Sequence, residues 1–362
     1  MGGSTPTVLV TGISGNLGLR LLPLLADYEI LGVDLHAPET QHPVRFVQMD
    51  FGREESCAQL LLLVKETRPV AFLHLAFVID PVRTGILDRD HMWQVNVAGT
   101  ARVMEAISEA NRDQVIVEKF IFPSSVSVYG SDFPEAARED FPLRAHTLPY
   151  AVDKMEAEQV VQQRAPALRG CSVYMLRPHI YAGTTVENYL LGAFRGTPNG
   201  PGKAAARMRA AGKRLPMMLP YGEQYLRNKI QFVHVDDMAR LLAYIVHKTE
   251  PEFQRLTVLN VAGKGEALTF GQCIQIANGR VRRVPGKSAL GLVLRVLWKF
   301  GISAIPPAAL PYMTGQYTMD TSALRNFLNT DYEKVIRYTI RDAFADSFAT
   351  AQSGAKQSAA SR

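Results

Sequence analysis

The sequence predicts an α/β fold in which a doubly wound parallel sheet is joined to a smaller C-terminal lobe that binds substrate. Short apolar runs alternate with amphipathic segments through the first half of the chain, as expected for parallel strands covered by helices on both faces. A glycine-rich turn directly follows the first apolar run. Beyond about residue 172 the alternation becomes irregular and Gly- and Pro-rich, which predicts the second lobe.

The individual elements follow from these patterns. We predict strands at 7–10, 30–33, 44–49, 70–75 and 119–122, and helices at 16–26, 54–66, about 91–110, 236–247 and 270–277. The expected organisation is a first domain over 1–172, which holds the parallel sheet and the glycine-rich turn, and a mixed region over 173–352 that completes the sheet and forms the substrate lobe. Within it, 230–262 returns to the first domain, and 353–362 is a disordered tail.

Composition narrows the class of protein. The 362 residues are 47% hydrophobic and 20% charged, which excludes disordered and collagen-like chains. The longest apolar window, 289–298, is interrupted by Arg295 and too short to span a membrane. The first six residues encode no export signal or lipid anchor, and the three cysteines form no CxxC pair. We therefore expect a cytoplasmic protein with no metal site and no membrane partner.

The net charge of +6 raises the question of a polyanionic partner. Most Lys and Arg residues are interspersed with Asp and Glu, so no nucleic-acid partner is expected. The exception is the stretch 188–222, which has no acidic residue and includes the basic segment 195–214. Its glycines and prolines predict a loop, at least in part. This segment is either a solvated surface loop or a lid that meets an anionic substrate.

The turn after the first strand carries glycines at the spacing of a phosphate-binding loop. Glycines let the backbone turn sharply and approach a pyrophosphate, which then lies against the N terminus of the following helix. The stretch reads TGISGNLG over 11–18. The cofactor-binding residues predicted from it are Gly12, Ser14, Gly15, Asn16, Leu17 and Gly18.

Two acidic residues at strand ends extend this prediction. Asp34 ends the second strand, where a carboxylate can accept both adenosine ribose hydroxyls and would repel a 2′-phosphate, so it favours NAD over NADP. The alternative is an Asp that only starts a turn. Asp50 ends the next strand and could reach the adenine amino group, or could be structural.

A phenol and an ammonium lie one helical turn apart at Tyr150 and Lys154. A nearby ammonium and a positively charged nicotinamide ring can lower the phenol's pKa toward neutrality, which suits a proton donor or acceptor for an alcohol–ketone pair. The same spacing occurs at Tyr225/Lys229, which has no helix signal around it, and at Tyr244/Lys248, late in an apolar helix. Only Tyr150 opens a helix after a strand that ends in serines, of which Ser125 could donate to the substrate oxygen.

Taken together, the motifs resemble the extended short-chain dehydrogenase/reductases, specifically the NAD-dependent epimerase/dehydratase family. The stretches that carry the resemblance occur in family order and are TGISGNLG (11–18), Asp34, HLAF (74–77), NVAGT (96–100), PSSVSVYG (123–130), YAVDK (150–154), LRP (176–178), HVDDMA (234–239) and, more weakly, MDTSALRNFL (319–328). The resemblance implies a Rossmann domain, bound NAD and a Ser125–Tyr150–Lys154 triad, with Ser124 the less favoured serine. Further cofactor contacts that it implies are Phe51, Leu75, Ala76, Phe77, Asn96, Tyr150, Lys154 and Pro178. It also implies a homodimer formed through the helices at 91–110 and 150–164.

Departures from the family pattern leave the substrate open. Sugar-nucleotide members usually have Asn and Arg where this chain has Ile180 and Ile230. The predicted substrate contacts are Ser124, Ser125, Asn188, Arg207 and Arg227. The favoured function is an epimerase acting on a sugar nucleotide. The alternatives are a one-way dehydrogenase or ketoreductase of a hydrophobic alcohol, whose pocket the apolar stretch 290–305 could line, and a non-catalytic NAD-binding regulator.

One reaction of the family is not expected. A 4,6-dehydratase needs an additional acid and base, and members of that type place Asp and Glu immediately after the catalytic serine or threonine. Val126 and Ser127 occupy those positions here, and neither can transfer a proton at neutral pH. Carboxylates elsewhere, such as Asp80 or Glu187, would have to replace them.

Overall fold

A computed structural model of the protein describes residues 5–79, 88–248 and 256–349. The predicted disordered tail at 353–362 and Asp80 lie outside these ranges. The strands in the described ranges are β1 (Thr7–Thr11), β2 (Glu29–Asp34), β3 (Arg45–Gln48), β4 (Ala71–His74), β5 (Lys119–Pro123), β6 (Ser172–Pro178), β7 (Ile180–Ala182), β8 (Met217–Pro220), β9 (Lys229–Ile230), β10 (Phe232–His234), β11 (Leu256–Val261), β12 (Leu268–Thr269) and β13 (Val281–Val284).

The central sheet has seven parallel strands in the order β11-β6-β5-β4-β1-β2-β3. The chain runs outward from β1 to β3 and then resumes at β4 on the other side of β1. Ligands of such sheets bind beyond the carboxyl ends of the strands at this switch point. The predicted α/β doubly wound Rossmann fold is confirmed.

Helices cover both faces of the sheet. In chain order they are α1 (Asn16–Leu21), α2 (Ser56–Thr67), α3 (Arg89–Trp93), α4 (Gly99–Ala110), α5 (Pro149–Arg164), α6 (Tyr189–Arg195), α7 (Lys203–Ala210), α8 (Gln224–Arg227), α9 (Val235–Lys248), α10 (Phe270–Ile276), α11 (Gly286–Lys299), α12 (Leu310–Thr314), α13 (Ser322–Leu328), α14 (Tyr332–Val335) and α15 (Ile340–Asp346). Helices α1 and α9 pack in the apolar core on one face, and α2, α4 and α5 pack in the core on the other. No helix in the described ranges is long and apolar enough to cross a membrane.

Two helices differ from their predicted lengths. The one expected over 16–26 ends as an α-helix at Leu21 and continues as a 3₁₀ segment, Leu22–Leu25, because Pro23 lacks the N–H that an α-helical turn needs. The one expected over about 91–110 is divided by a π-helical segment, Gln94–Ala98. Such segments are rare and occur frequently at functional sites.

The second part of the chain adds small sheets beside the main one. Strand β11 pairs with β6 in the central sheet, whereas β7 pairs with β10, β9 with β12 and β8 with β13. The basic segment 195–214, expected to be partly loop, contains helix α7, whose sequence KAAARMRA consists of good helix formers. The domain limits at 172 and 230–262 stay a prediction.

Candidate active site

The glycine-rich turn lies at the switch point, between β1 and α1. Gly12 has φ +70°, and a Cβ there would lie 2.6 Å from the backbone nitrogen of Ala76. A Cβ on Gly18 would lie 2.5 Å from the carbonyl oxygen of Ile13. Gly15 is the residue before helix α1, so the turn leads directly into a helix N terminus that begins at Asn16. This close, side-chain-free approach fits the pyrophosphate of a dinucleotide.

The loop is fixed to the end of β2 through Asp34. The Asp34 carboxylate accepts hydrogen bonds from the backbone N–H groups of Ser14, at 3.0 Å, and Leu35, at 2.7 Å. These contacts hold the half-buried carboxylate at the carboxyl end of the strand. A carboxylate can accept about four hydrogen bonds, so acceptor capacity remains for a ribose. Asp34 is therefore placed where the sequence analysis puts an adenosine contact.

Other predicted cofactor residues line the same edge. Asp50 accepts a hydrogen bond from the Gly52 N–H at 2.8 Å, and the buried Phe51 ring lies edge-on to His74. Leu75 donates to the Thr11 carbonyl at 3.1 Å. Leu17 packs against the apolar cores, and the exposed Asn16 amide donates to the Thr185 carbonyl at 2.9 Å. The buried Pro178 ends β6. We infer cofactor contact for these residues from position alone.

Asn96 has a structural position within the π-helical segment. Its side-chain oxygen accepts from the Val78 N–H at 2.7 Å and its amide donates to the Val78 carbonyl at 3.1 Å, which fixes the chain after β4. The same amide donates to the buried Asp153 carboxylate at 2.9 Å. Asp153 also pairs with Arg89. These contacts use both amide donors and one of the two acceptor positions of Asn96, so its contact with a cofactor stays a prediction.

Ser125 and Tyr150 meet beyond the end of β5. Ser125 caps a short 3₁₀ turn and accepts from the Ser127 N–H at 3.2 Å and the Ser127 hydroxyl at 2.9 Å. Tyr150 lies in the first turn of α5, which Pro149 opens because proline is favoured at that position. Ser125 lies close enough to the Tyr150 phenol to lower its pKa. Two residues that are 25 positions apart are thus combined into one polar pair.

Burial is the largest influence on the pKa of the Tyr150 phenol in the protein itself. Burial raises this pKa to about 12, and the neighbouring Ser125 lowers it by a smaller amount. A neighbouring phenol, Tyr181, was missed by the sequence analysis although it directly follows Ile180. Burial and the proximity of Tyr150 both raise the pKa of Tyr181. The lowering expected from the ammonium together with a bound nicotinamide ring stays a prediction.

Lys154 is buried one turn after Tyr150, between the sheet and the β4 loop. Its ammonium donates to the Pro123 carbonyl at 2.7 Å and lies 3.5 Å from the centre of the Phe77 ring. Phe77 also contacts Tyr150 edge-on. Burial lowers the pKa of Lys154 to about 7, whereas the carboxylates of Glu158 and Asp153 raise it. Phe77 thus lies against both Tyr150 and Lys154 on the same face of α5.

Ser124 belongs to a buried ionic network and not to the Tyr150 pair. Its hydroxyl donates to Glu158 at 2.7 Å, and Glu158 also receives the Arg177 guanidinium. The prediction that Ser124 contacts substrate is not supported by this geometry. Glu158 was missed, although its position four residues after Lys154 places it on the same helix face.

The remaining predicted substrate residues do not converge on Tyr150. Asn188 caps helix α6 by accepting from the Leu191 N–H at 2.9 Å and donates to the Tyr181 carbonyl at 3.1 Å. Arg207 and Arg227 are exposed on α7 and α8. Ile230 is fully buried. Of these, only Asn188 is linked to the site, through Tyr181.

The two other Tyr/Lys pairs lie elsewhere. Tyr225 lies in the single-turn helix α8, so the expectation that no helix forms there is wrong. Lys229 lies in the next strand, β9. Tyr244 is on α9, and its pKa is raised by burial and by Asp331. Neither phenol is paired with Ser125.

The apolar stretch 290–305 borders a small cavity beside the site. The cavity measures about 50 Å³, and Leu290, Leu294, Met218 and Met313 are among the residues that line it. Leu290 and Leu294 also belong to an apolar cluster against which Tyr150 packs. The expected apolar lining is therefore present, and it reaches the phenol. No cluster able to hold a metal ion occurs among the residues in the described ranges.

The fold and this arrangement are those of a dinucleotide-dependent enzyme, and comparisons identify the family. The NAD dependent epimerase/dehydratase family matches residues 8–262. A UDP-glucose 4-epimerase of Azospirillum brasilense is 28% identical over 183 residues, which is 50% of each chain. UDP-glucose 4-epimerase GEPI48 of Cyamopsis tetragonoloba is 26% identical over 256 residues, 65% of this chain and 70% of its own. The structure of MoeE5 with UDP-glucuronic acid and NAD superposes with a TM-score of 0.64 at 20% identity, covering 96% and 99% of the two chains.

The chain therefore belongs to the NAD-dependent epimerase/dehydratase family of extended short-chain dehydrogenase/reductases, and NAD is its cofactor. The match spans half the length of the Azospirillum enzyme. The family resemblance and the cofactor predicted from the glycine-rich loop and Asp34 are confirmed.

Proposed function

We propose that the protein is an NAD-dependent epimerase that inverts a carbinol centre of a nucleoside-diphosphate sugar. The observation that carries this proposal is the placement of Ser125 and Tyr150 beside each other beyond the end of β5, with Lys154 one turn further along α5 and the glycine-rich turn at the same sheet edge. Both curated relatives described above are UDP-glucose 4-epimerases, and MoeE5 was crystallised with a UDP-sugar and NAD.

Each residue of the triad has a distinct task. The residues at this sheet edge would hold NAD, which would supply a hydride acceptor and donor for the substrate carbon. Tyr150 exchanges the hydroxyl proton, and Ser125 orients the substrate oxygen. Lys154 has three donors, of which the Pro123 carbonyl takes one, so the others remain for the cofactor ribose. Inversion then requires the hydride to return to the opposite face of the sugar.

Retention of the cofactor is the direct test. An epimerase keeps NAD between its two half-reactions, so the purified protein should carry NAD in a near 1:1 ratio and interconvert UDP-glucose and UDP-galactose or another epimeric pair. Net accumulation of NADH with an apolar alcohol would instead establish the one-way dehydrogenase. Tight NAD binding with no turnover of any nucleoside-diphosphate sugar or alcohol would favour the regulator.

We further propose a cytoplasmic homodimer. The free Cys57, Cys171 and Cys273 suit a reducing compartment. The helix pair α4 and α5 packs together, and Glu105 and Arg164 form a half-exposed ion pair between the two helices. A second copy of this pair would complete a four-helix interface. Light scattering during size-exclusion chromatography should give twice the chain mass of 40.0 kDa.

A further inference from the structure

The positive charge of the protein is concentrated in one lobe. Two stretches, 188–222 and 267–319, together contain twelve Lys and Arg residues and no Asp or Glu. The remaining 274 residues contain 28 basic and 34 acidic side chains, so they carry a net negative charge. The overall charge of +6 is thus the difference between a strongly basic lobe and an acidic remainder.

The two acid-free stretches form one structural unit. Strand β8 from the first pairs in parallel with β13 from the second, with Met217 opposite Val281. The Gly200 N–H donates to the Ile302 carbonyl at 3.0 Å, and the Gly202 N–H donates to the Gly301 carbonyl at 2.8 Å. These bonds place the start of α7 beside the end of α11, so the basic residues of both helices share one region of the surface.

Helix α11 carries large apolar side chains on its outward face. Leu292 is 61% exposed, Val296 45% and Phe300 63%. Their spacing of four residues aligns them along about 12 Å of one helix face. The exposed Arg295 and Lys299 lie beside this line. Single exposed apolar residues are common on protein surfaces, but an aligned set of three beside basic residues indicates an interaction surface.

This outward face is not required to hold the helix in place. The opposite face inserts the buried Leu290 and Leu294 into an apolar cluster that also contains Leu148 and Tyr312. That inner contact anchors α11 without the outer line. The outer line of Leu292, Val296 and Phe300 therefore does not pack in the core of the described protein. Exposing this apolar surface to water is unfavourable, which points to a partner that covers it.

The basic residues near α11 are available to an external anion. The side chains of Lys203, Arg207, Lys287, Arg295 and Lys299 make no hydrogen bond or ion pair with any residue that the structure describes. By contrast, Arg209 donates to the Gly200 carbonyl at 3.1 Å and Arg283 to the Pro220 carbonyl at 3.0 Å. Arg295 and Lys299 thus lie beside the apolar line, and the adjoining helix α7 adds Lys203 and Arg207.

We propose that this lobe docks on an anionic phospholipid surface, with α11 lying in the plane of the interface. A helix with apolar and basic residues on its outer face suits the boundary between headgroups and acyl chains. A nucleic acid would not use the apolar line. A second copy of the lobe would bring like charges together. The contact is peripheral and needs no spanning helix, and it is independent of the proposed epimerase activity.

Vesicle sedimentation with the full-length protein tests this surface. We expect binding to phosphatidylcholine vesicles that contain about 30% phosphatidylglycerol, little binding to phosphatidylcholine alone, and loss of most binding when salt is raised from about 0.1 M to about 0.5 M. The double variant Leu292→Ser/Phe300→Ser should lower the partition coefficient by roughly tenfold or more. Arg295→Gln/Lys299→Gln should lower it by a similar factor of about ten.

Matched controls separate the lobe from general surface effects. Leu62→Ser removes an apolar side chain that is 69% exposed on α2, and Arg112→Gln/Arg138→Gln removes two exposed cations outside the lobe. These variants should bind vesicles as the parent does. Unchanged NADH affinity and melting temperature in every variant show that the fold is intact.

The inference is overturned if the parent protein does not sediment with the anionic vesicles at low salt, or if the α11 variants bind as well as the parent. Equal losses in the control variants would also overturn it, as would binding to heparin or RNA without binding to vesicles. A concentration-dependent dimer that the Leu292/Phe300 variant abolishes would assign the face to a second copy instead. Vesicle binding without epimerase activity would retain this inference and refute only the proposed function.

Discussion

Glu158→Gln should destabilise the protein strongly, because it leaves a buried charge without its counter-charge. Glu158 is fully buried and accepts from both Arg177, through Nε at 3.1 Å, and the Ser124 hydroxyl at 2.7 Å. Arg177 is itself buried, and its other partners, the Tyr129 hydroxyl and the Glu139 carbonyl, carry no charge. Glutamine keeps the shape of the side chain and removes the charge. Breaking a buried pair in this way costs about 3–5 kcal/mol.

Urea unfolding followed by tryptophan fluorescence measures the change. The matched control is Glu66→Gln on α2, where the partner Arg45 is half-exposed and the pair is worth about 0–1 kcal/mol. The double variant Glu158→Leu/Arg177→Met removes both charges and should recover much of the lost free energy of unfolding. A loss below about 1 kcal/mol for Glu158→Gln, equal to the control, would refute the reasoning.

Three further predictions concern the candidate site. Asp34 should make NADH bind more tightly than NADPH, and Asp34→Ser should reduce the difference by about tenfold or more; equal affinities in the parent, titrated by fluorescence, would contradict this. The pKa of Lys154 is about 7 when folded and about 10.5 when unfolded. Because the unfolded state therefore binds more protons between these values, the free energy of unfolding should rise as the pH is raised from about 7 to about 10.5. Lys154→Met should flatten that rise; a parent-minus-variant difference that is constant with pH would argue against it. Nucleoside-diphosphate glucoses should give no 4-keto-6-deoxy product, detected by absorbance in base, since Val126 and Ser127 replace the acid and base; sustained formation would show that other groups supply them.

The parts of the molecule that depend on local sequence were predictable. Gly12 and Gly18 are required by contacts within a single strand–turn–helix unit, and Asp34 follows from the end of the second strand. Helix α7 was missed although its alanine-rich sequence carries a clear signal, because the flanking glycines and prolines suggested a loop. Asn188 likewise has the residue type and position of a helix cap.

Features that depend on distant contacts were not predictable from the sequence. The Ser124–Glu158–Arg177 network joins residues from three elements, and no spacing rule links them. The raised pKa of Tyr150 depends on burial, which a motif does not report. The contact of Phe77 with Lys154 brings together side chains 77 positions apart. Such long-range contacts bind the Ser124 hydroxyl to Glu158 and leave Ser125 as the serine beside Tyr150.

Turnover of the Tyr150→Phe variant tests the central claim most directly. Removing the phenol oxygen should lower kcat for epimerisation of a nucleoside-diphosphate sugar by about 10²–10⁴ while the variant retains NAD, because the proton donor is lost and the cofactor contacts remain. Tyr225→Phe, the matched control on α8, should leave kcat unchanged. Normal turnover by Tyr150→Phe, with NAD bound as in the parent, would contradict the assignment of Tyr150 as the acid and base.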